Sequence, residues 1–366
     1  MKALILVGGY GTRLRPLTLT KPKSLIEFCN KPIVVHQIEA LVDAGVNHII
    51  LAVCYQADQL EDELKIYEKK LGIKISISSE IKEPLGTAGA IAQAKKFLLP
   101  APNCNKPFFV LNSDIICNFP FKEMIVFHEN HGKEGTLVVT KVDEPSKYGV
   151  VVYSAEKGGE VERFTEKPKI FVSNKINAGL YILSPSFLSR IKPIKTSIEK
   201  DVFPYMADEG QLFALDLKGY WMDVGQPKDF LTGMCMYMDF IVKKQNKGIN
   251  DVKNGIIAPV IIDETADIGN DCIIGPNVVI GKNCRIEEGV RLKNTILMPG
   301  AKIGQHSWLD HCIIGWNSDI GKWVRIENVS VLGENVEIKD EIYVNGGKIL
   351  PHKAISTSIR EPQIVL

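Results

Sequence analysis

Residues 1–7 form an apolar run that ends in Gly8-Gly9-Tyr10-Gly11-Thr12-Arg13, and Lys21-Pro22-Lys23 follows on the same stretch. Glycines after a strand let backbone N–H groups come close to phosphate oxygens, and the guanidinium and ammonium add positive charge there. The spacing is neither a Walker A loop nor the G-x-G-x-x-G of dinucleotide folds. A second apolar run, Phe108-Phe109-Val110-Leu111, ends in Asn112-Ser113-Asp114. An aspartate at a strand end suits Mg²⁺, a hard cation that takes one or two carboxylates plus phosphate oxygens; by type alone it serves equally as a helix cap. Asp223 lies in Gly219-Tyr220-Trp221-Met222-Asp223-Val224-Gly225, an aromatic and otherwise uncharged stretch. An unpaired carboxylate is costly there, which implies a metal or hydrogen-bond partner. Glu166-Lys167-Pro168 and Asn177-Ala178-Gly179 offer groups for sugar hydroxyls and a sugar phosphate. Gly86-Thr87-Ala88-Gly89 opens a helix where backbone could approach a base or ribose. Singly, each of these reads as well as a loop or turn; together they point to phosphoryl-group chemistry on an anionic sugar.

The elements that must position these groups follow two periodicities. Residues 3–7, 48–53, 73–78, 108–111 and 136–140 read as strands, and 32–44, 57–71 and 87–98 as helices with apolar residues at three- and four-residue spacing. That alternation predicts an α/β domain with a mostly parallel sheet, whose ligands bind at the carboxyl ends of the strands. Residues 227–244 read as an amphipathic helix whose methionines are core or interface rather than a cofactor box. From about residue 256 an aliphatic residue recurs every six positions, from Ile262 through Ile268, Ile274, Ile280, Ile286 and Leu292. After slips in phase it resumes from Ile303 to Ile338, a hexapeptide period that predicts a parallel β-helix. The polar stretch 245–254 marks a boundary, giving domains 1–247 and 248–366.

A chain of 366 residues exceeds what one core usually fills. With 44 basic against 43 acidic residues, neither nucleic acid nor an anionic membrane is expected as a partner. The eight cysteines are scattered without a C-x-x-C pair and read as reduced, structural thiols in the cytosol. The first residues are too short an apolar run for a signal segment, and no stretch approaches a membrane span.

The stretches LVGGYGTRLRPLTL, EPLGTAGA, FFVLNSDIICNFPF, EPSKYGVVV, INAGLYILSP, TSIEKDVFP and GYWMDVGQPKDFLTGM, in this order, resemble the nucleotidyltransferases that make nucleotide sugars. The resemblance runs through the hexapeptide region and is nearest to the GDP-mannose-making branch. It implies a Rossmann-like nucleotidyltransferase domain followed by a left-handed β-helix, Mg²⁺ as cofactor, and GTP and mannose-1-phosphate as substrates. By position it implies that Leu6, Gly8, Gly9, Gly11, Thr12 and Asn112 line the nucleotide, with the loop at Gly86 and Thr87 flanking the base. Arg13 would hold the departing phosphates, Lys23 the α-phosphate, and Lys167 the sugar phosphate. Gly149, Glu166, Asn177 and Gly179 would contact the sugar, and Asp114 and Asp223 would ligate the metal. Ser24 departs from the pattern, in which a second proline often follows the Pro-Lys pair. Glu80 and Glu83 are candidates for reading guanine, and both read as well as solvated loop residues.

Three other readings stand beside this one. A non-catalytic homologue could bind the nucleotide sugar and regulate a partner; the same chemistry could act on an ADP-glucose or UDP-sugar pair. An acyltransferase could use His306 or His311 of the repeat region as base. A flat β-helix face with Trp308, Trp316 and Trp323 suits self-association, as a homo-oligomer or with a paralogous regulatory subunit.

Overall fold

The structure, a computed structural model, describes residues 1–54, 57–79, 84–99, 106–244, 252–253 and 255–366. Contacts divide the chain into two compact units, Met1–Gly9 with Val34–Trp221 and Tyr10–Ile33 with Met222–Leu366.

In the first unit the described residues include a nine-stranded sheet. Its spatial order is Lys74–Ser79, His48–Val53, Lys2–Val7, Phe108–Asn112, Lys175–Leu183, Gly135–Lys141, Leu212–Asp216, Glu160–Glu166 and Gly149–Ser154. The first four run parallel, as do Gly135–Lys141 and Leu212–Asp216. Lys175–Leu183 and Glu160–Glu166 run against their neighbours. The buried β-branched runs are what a sheet covered on both faces requires. The helix Ala57–Leu71 turns Leu60 and Leu64 inward, with Asp58 in its first turn and Lys69 and Lys70 in its last, matching the helix dipole. The helix expected over 87–98 is two helices, Gly86–Gln93 and Lys95–Leu98, broken at Ala94 where ψ is 1°. The break lets both Ala94 and Leu98 join the core that holds Ile91.

The second unit holds the repeat region as a stack of short parallel strands, an arrangement consistent with a β-helix. Ile268, Ile286, Ile303, Ile320, Ile338 and Ile355 pair successively in one column. Ile262, Ile280, Leu297 and Ile314 form a second. A phase slip in the sequence falls at Leu297, which keeps its place in the column although the spacing shortens by one residue. These side chains form one buried cluster, with Ile262 and Ile268 half-buried against it and Cys272, Cys284 and Cys312 packed within it. Corners recur at left-handed residues, among them Asn277, Asn294, Asn317, Asn328 and Asn335. Asparagine tolerates this conformation because its short amide bonds locally. Asn277 Nδ2 donates to Asn294 Oδ1 at 3.0 Å, and Asn328 Nδ2 to Asn345 Oδ1 at 2.8 Å, tying turn to turn. His306 and His311 also sit at such corners, the first against the Trp323 ring and the second 2.7 Å from Asp310.

The helix Pro227–Lys244 buries Phe230, Leu231, Met234 and Met238, and lies against strands Arg291–Leu297 and Trp308–Ile314. The hairpin Glu27–Phe28 with Lys31–Pro32 turns through Cys29 and Asn30, both at positive φ. Its Phe28 meets Phe230 and Tyr237 edge-on at 5.2 and 5.7 Å. The three tryptophans expected on a self-association face sit in three different settings. Trp316 is only 7% exposed and donates to Glu27 of its own chain, Trp308 packs under the Arg325 guanidinium, and Trp323 is 63% exposed.

Candidate active site

Three charged groups converge in the second unit around Gly225. A Cβ built at Gly225 would stand 2.7 Å from Asp223 Oδ1, 2.8 Å from an Arg13 terminal nitrogen and 3.1 Å from Lys23 Nζ. The site therefore needs glycine for room rather than for backbone freedom. Asp223 is held by its own chain, since Oδ1 accepts from the Gly225 N–H at 2.8 Å while Oδ2 lies 3.7 Å from Arg13. Its side chain is 17% exposed against 62% for Arg13, so the guanidinium remains open to a ligand while the carboxylate is fixed. Two short turns deliver the cations. Gly11, at φ 63°, caps the turn Thr12–Leu14 and accepts from Thr18 Oγ1 at 2.8 Å. A Cβ there would strike Thr18 and approach Lys23 Cβ to 3.3 Å. Pro22 then sets the entry to the turn Lys23–Leu25, where Ser24 is buried and its hydroxyl has no partner among the described residues.

The other expected residues lie in the first unit, at the carboxyl edge of its parallel strands. Lys2–Val7 runs out into Gly8 and Gly9; a Cβ at Gly9 would meet nothing within 4 Å, and Leu6 pairs with Asn112 of the adjacent strand. Asp114 follows that strand one residue beyond Ser113, whose N–H donates to the Leu6 carbonyl. Gly179, at φ 73°, faces Asn112 so closely that a Cβ would come within 2.8 Å of its amide. The pairing of Lys175–Leu183 shifts register between Asn177 and Tyr181, a bulge that re-aims Asn177. Asn177 accepts from the Gly179 N–H at 3.1 Å and donates to the Tyr181 hydroxyl at 2.7 Å. Gly149 pairs with Glu166, and a Cβ at 149 would meet a Glu166 oxygen at 2.8 Å. Lys167 Nζ lies 3.2 Å from Glu166.

Tyr181 sits beneath this group, fully buried. Burial and then the Glu199, Glu166 and Asp114 carboxylates raise its hydroxyl well above the ordinary tyrosine pKa, while the Asn177 hydrogen bond opposes them. Those three acids thus lie within electrostatic reach of one phenol, which keeps it un-ionised. Neither Tyr181 nor Glu199 stands out by composition; Glu199 lies in the TSIEKDVFP stretch without a distinguishing neighbour.

The Gly86 loop is shaped by its own unit. Cβ atoms at Gly86 and Gly89 would come within 2.6 Å of the Thr196 carbonyl and 2.2 Å of the Ile194 carbonyl. Thr87 Oγ1 donates to Glu199 at 2.8 Å and accepts from the Ile198 N–H. Close backbone packing accounts for both glycines. Glu80 and Glu83 lie outside the described residues. Among the described residues no three acidic, histidine or cysteine side chains gather as a metal cage. Mg²⁺ accepts hard carboxylate and phosphate oxygens, and Asp114 of the first unit and Asp223 of the second each carry oxygens of that kind. No described helix is long and apolar enough to cross a membrane.

The nucleotidyl transferase family matches residues 2–239, and the family described as GMPPB C-terminal domain matches residues 256–365. The chain is 61% identical over 366 residues to the mannose-1-phosphate guanylyltransferase catalytic subunit beta of Xenopus tropicalis, covering all of both chains. It is 58% identical to the protein of that name from Dictyostelium discoideum, again over all of both. Among solved structures, HddC from Yersinia pseudotuberculosis complexed with GMP-PN is 31% identical at a TM-score of 0.52, over 63% of this chain and 97% of that one.

Proposed function

The chain belongs to the nucleotidyl transferase family, and from that membership we propose that it joins GTP to mannose-1-phosphate, yielding GDP-mannose and pyrophosphate. The observation that carries this reading is the convergence of Arg13, Lys23 and Asp223 on the space beside Gly225, in a chain matched end to end by relatives of that name. A phosphate oxygen of mannose-1-phosphate attacks the α-phosphorus of GTP, a new P–O bond forms, and the bond to the bridging oxygen breaks in line to release pyrophosphate. The attacking oxygen is already an anion, so no side chain has to remove a proton. The barrier lies in bringing two polyanions together, which positioned cations lower.

Arg13, open to solvent, takes the departing phosphates; Lys23 faces the α-phosphate; Lys167 holds the sugar phosphate. Gly149, Glu166, Asn177 and Gly179 orient the sugar hydroxyls, and Leu6, Gly8, Gly9, Gly11, Thr12 and Asn112 line the nucleotide, with Gly86 and Thr87 beside the base. Asp114 and Asp223 are the carboxylates we assign to Mg²⁺, which when bound neutralises phosphate charge. Residues 1–247 are the transferase domain in this reading, and 248–366 a left-handed β-helix, supported by its columns of inward aliphatic side chains. We place the reaction in the cytosol and the active form in a homo-oligomer, for which exposed Trp323 offers a contact; a monomeric mass by light scattering at micromolar protein would refute the oligomer.

The test is pyrophosphate release across four nucleoside triphosphates and several sugar-1-phosphates, with Mg²⁺ and with EDTA. Release confined to GTP with mannose-1-phosphate and abolished by EDTA is expected. Another preferred pair would keep the chemistry and overturn the substrates. Tight GDP-mannose binding without release would indicate a regulatory homologue.

A further inference from the structure

Trp316 stands outside the aliphatic interior of the stack and is nevertheless almost fully covered. Its indole Nε1 donates to Glu27 Oε2 at 2.9 Å, the other oxygen of Glu27 takes Lys21 Nζ at 2.6 Å, and that ammonium lies 5.0 Å from the centre of the Trp316 ring. Indole, carboxylate and ammonium thus form a closed set in which each group touches the other two. Lys21 and Glu27 are both mostly shielded from water, where such contacts outlast salt screening. A second tie lies at the hairpin tip, where Asn30 Nδ2 donates to the Ile280 carbonyl at 2.7 Å. Phe28 between them is pinned on Phe230 and Tyr237. One repeat-region residue therefore clamps the segment whose Lys23 is separated from Lys21 by a single proline. Pro22 has a fixed φ and transmits the backbone position of Lys21 to Lys23 with little slack.

We propose that Trp316 is a positioning residue of the transfer reaction, acting through Glu27 and Lys21 to hold the Lys23 ammonium where the reacting phosphate needs it. This rests on the role assigned above to Lys23. A positioned cation contributes fully only when its geometry is held to within a fraction of an ångström, and a 1 Å displacement can cost about a hundredfold. The ring and its N–H do separable work: the ring covers Lys21, and the N–H orients Glu27.

The experiment is steady-state pyrophosphate release by Trp316→Phe, Trp316→Leu, Lys23→Ala and the double variant Lys23→Ala with Trp316→Phe, each with its melting curve. Trp316→Phe keeps an aromatic ring and loses the donor; kcat should fall about tenfold, with KM for mannose-1-phosphate and the melting temperature nearly unchanged. Trp316→Leu should fall further. In the Lys23→Ala background Trp316→Phe should cost almost nothing more, because the group it positions is gone. Normal kcat in both Trp316 variants, or a Trp316→Phe loss that multiplies undiminished onto Lys23→Ala, would overturn the proposal while leaving the Lys23 reading intact. Full activity of Lys23→Ala would instead overturn the Lys23 reading itself.

Discussion

At the scale of single residues, the site depends as much on what is missing as on what is charged. Gly225 has no unusual backbone angle that would forbid a side chain, so Gly225→Ala changes only the space among Asp223, Arg13 and Lys23. We predict a fall in kcat of about a hundredfold at near-normal melting temperature; unchanged turnover would mean the three groups do not act together. Asp223→Ala should cost two or more orders of magnitude, on the scale of one lost preorganised electrostatic group, and near-normal turnover at saturating Mg²⁺ would remove it from the metal. Ser24 gives a prediction of opposite sign. Its hydroxyl is buried without a partner among the described residues, so Ser24→Ala should leave stability unchanged or raise it by about 1 kcal/mol, read from denaturant midpoints. Asp223 was legible because a carboxylate among aromatics is chemically anomalous. Gly225 was not, because a glycine kept for room looks like any other glycine until its neighbours are placed.

At the scale of elements, periodicity revealed five of the nine strands of the first unit's main sheet and the repeat region, since burial alternation survives without knowledge of neighbours. Residues 48–53, 57–71 and 227–244 match the observed elements in extent. The sheet's other four, Gly149–Ser154, Glu160–Glu166, Lys175–Leu183 and Leu212–Asp216, were not read as strands, and two of them run against the rest of the sheet, a direction set by connections and not by the residues within a strand. The helix Phe121–His131 carries a further consequence invisible in its pattern. His128 lies 2.9 Å from Thr136 Oγ1 and 3.0 Å from Ser184 Oγ, and burial pushes it down to about 4. His131 is likewise pushed down to about 4, by burial first and then by His128 and Lys133. An unfolded histidine titrates near about 6.5, so below that pH the unfolded chain takes up protons that the native one refuses. Stability is therefore full above about 6.5 and lost as pH falls toward 4, at about 1.4 kcal/mol per pH unit for buried His128. Denaturant midpoints measured between pH 7 and 4.5 should fall less steeply in His128→Asn, which starts from a lower value at pH 7; parallel slopes would contradict the assignment.

At the scale of the whole molecule, the chain does not divide into a front half that reacts and a back half that decorates. Tyr10–Ile33 belongs by its contacts with Met222–Leu366, so Arg13, Lys23 and Asp223 share a compact unit with the stacked strands. A chain stopped after Lys244 keeps all the motif residues yet loses Trp316 and the Ile280 carbonyl that hold the hairpin. We predict that it loses at least nine-tenths of its turnover, measured on folded protein; full activity would show that the hairpin stands unaided. Nothing in the linear pattern linked Glu27 to Trp316, because their contact has no period and no motif. The same long reach imposes an order on biosynthesis. Glu27 and Trp316 are 289 positions apart, and a ribosome adding about 5–20 residues per second needs roughly 15–60 s to make the second after the first. For that interval the N-terminal cations are on the nascent chain without their clamp. Catalytic competence is then acquired late, once Trp316 has left the ribosome, and a chain released before that point lacks the clamp.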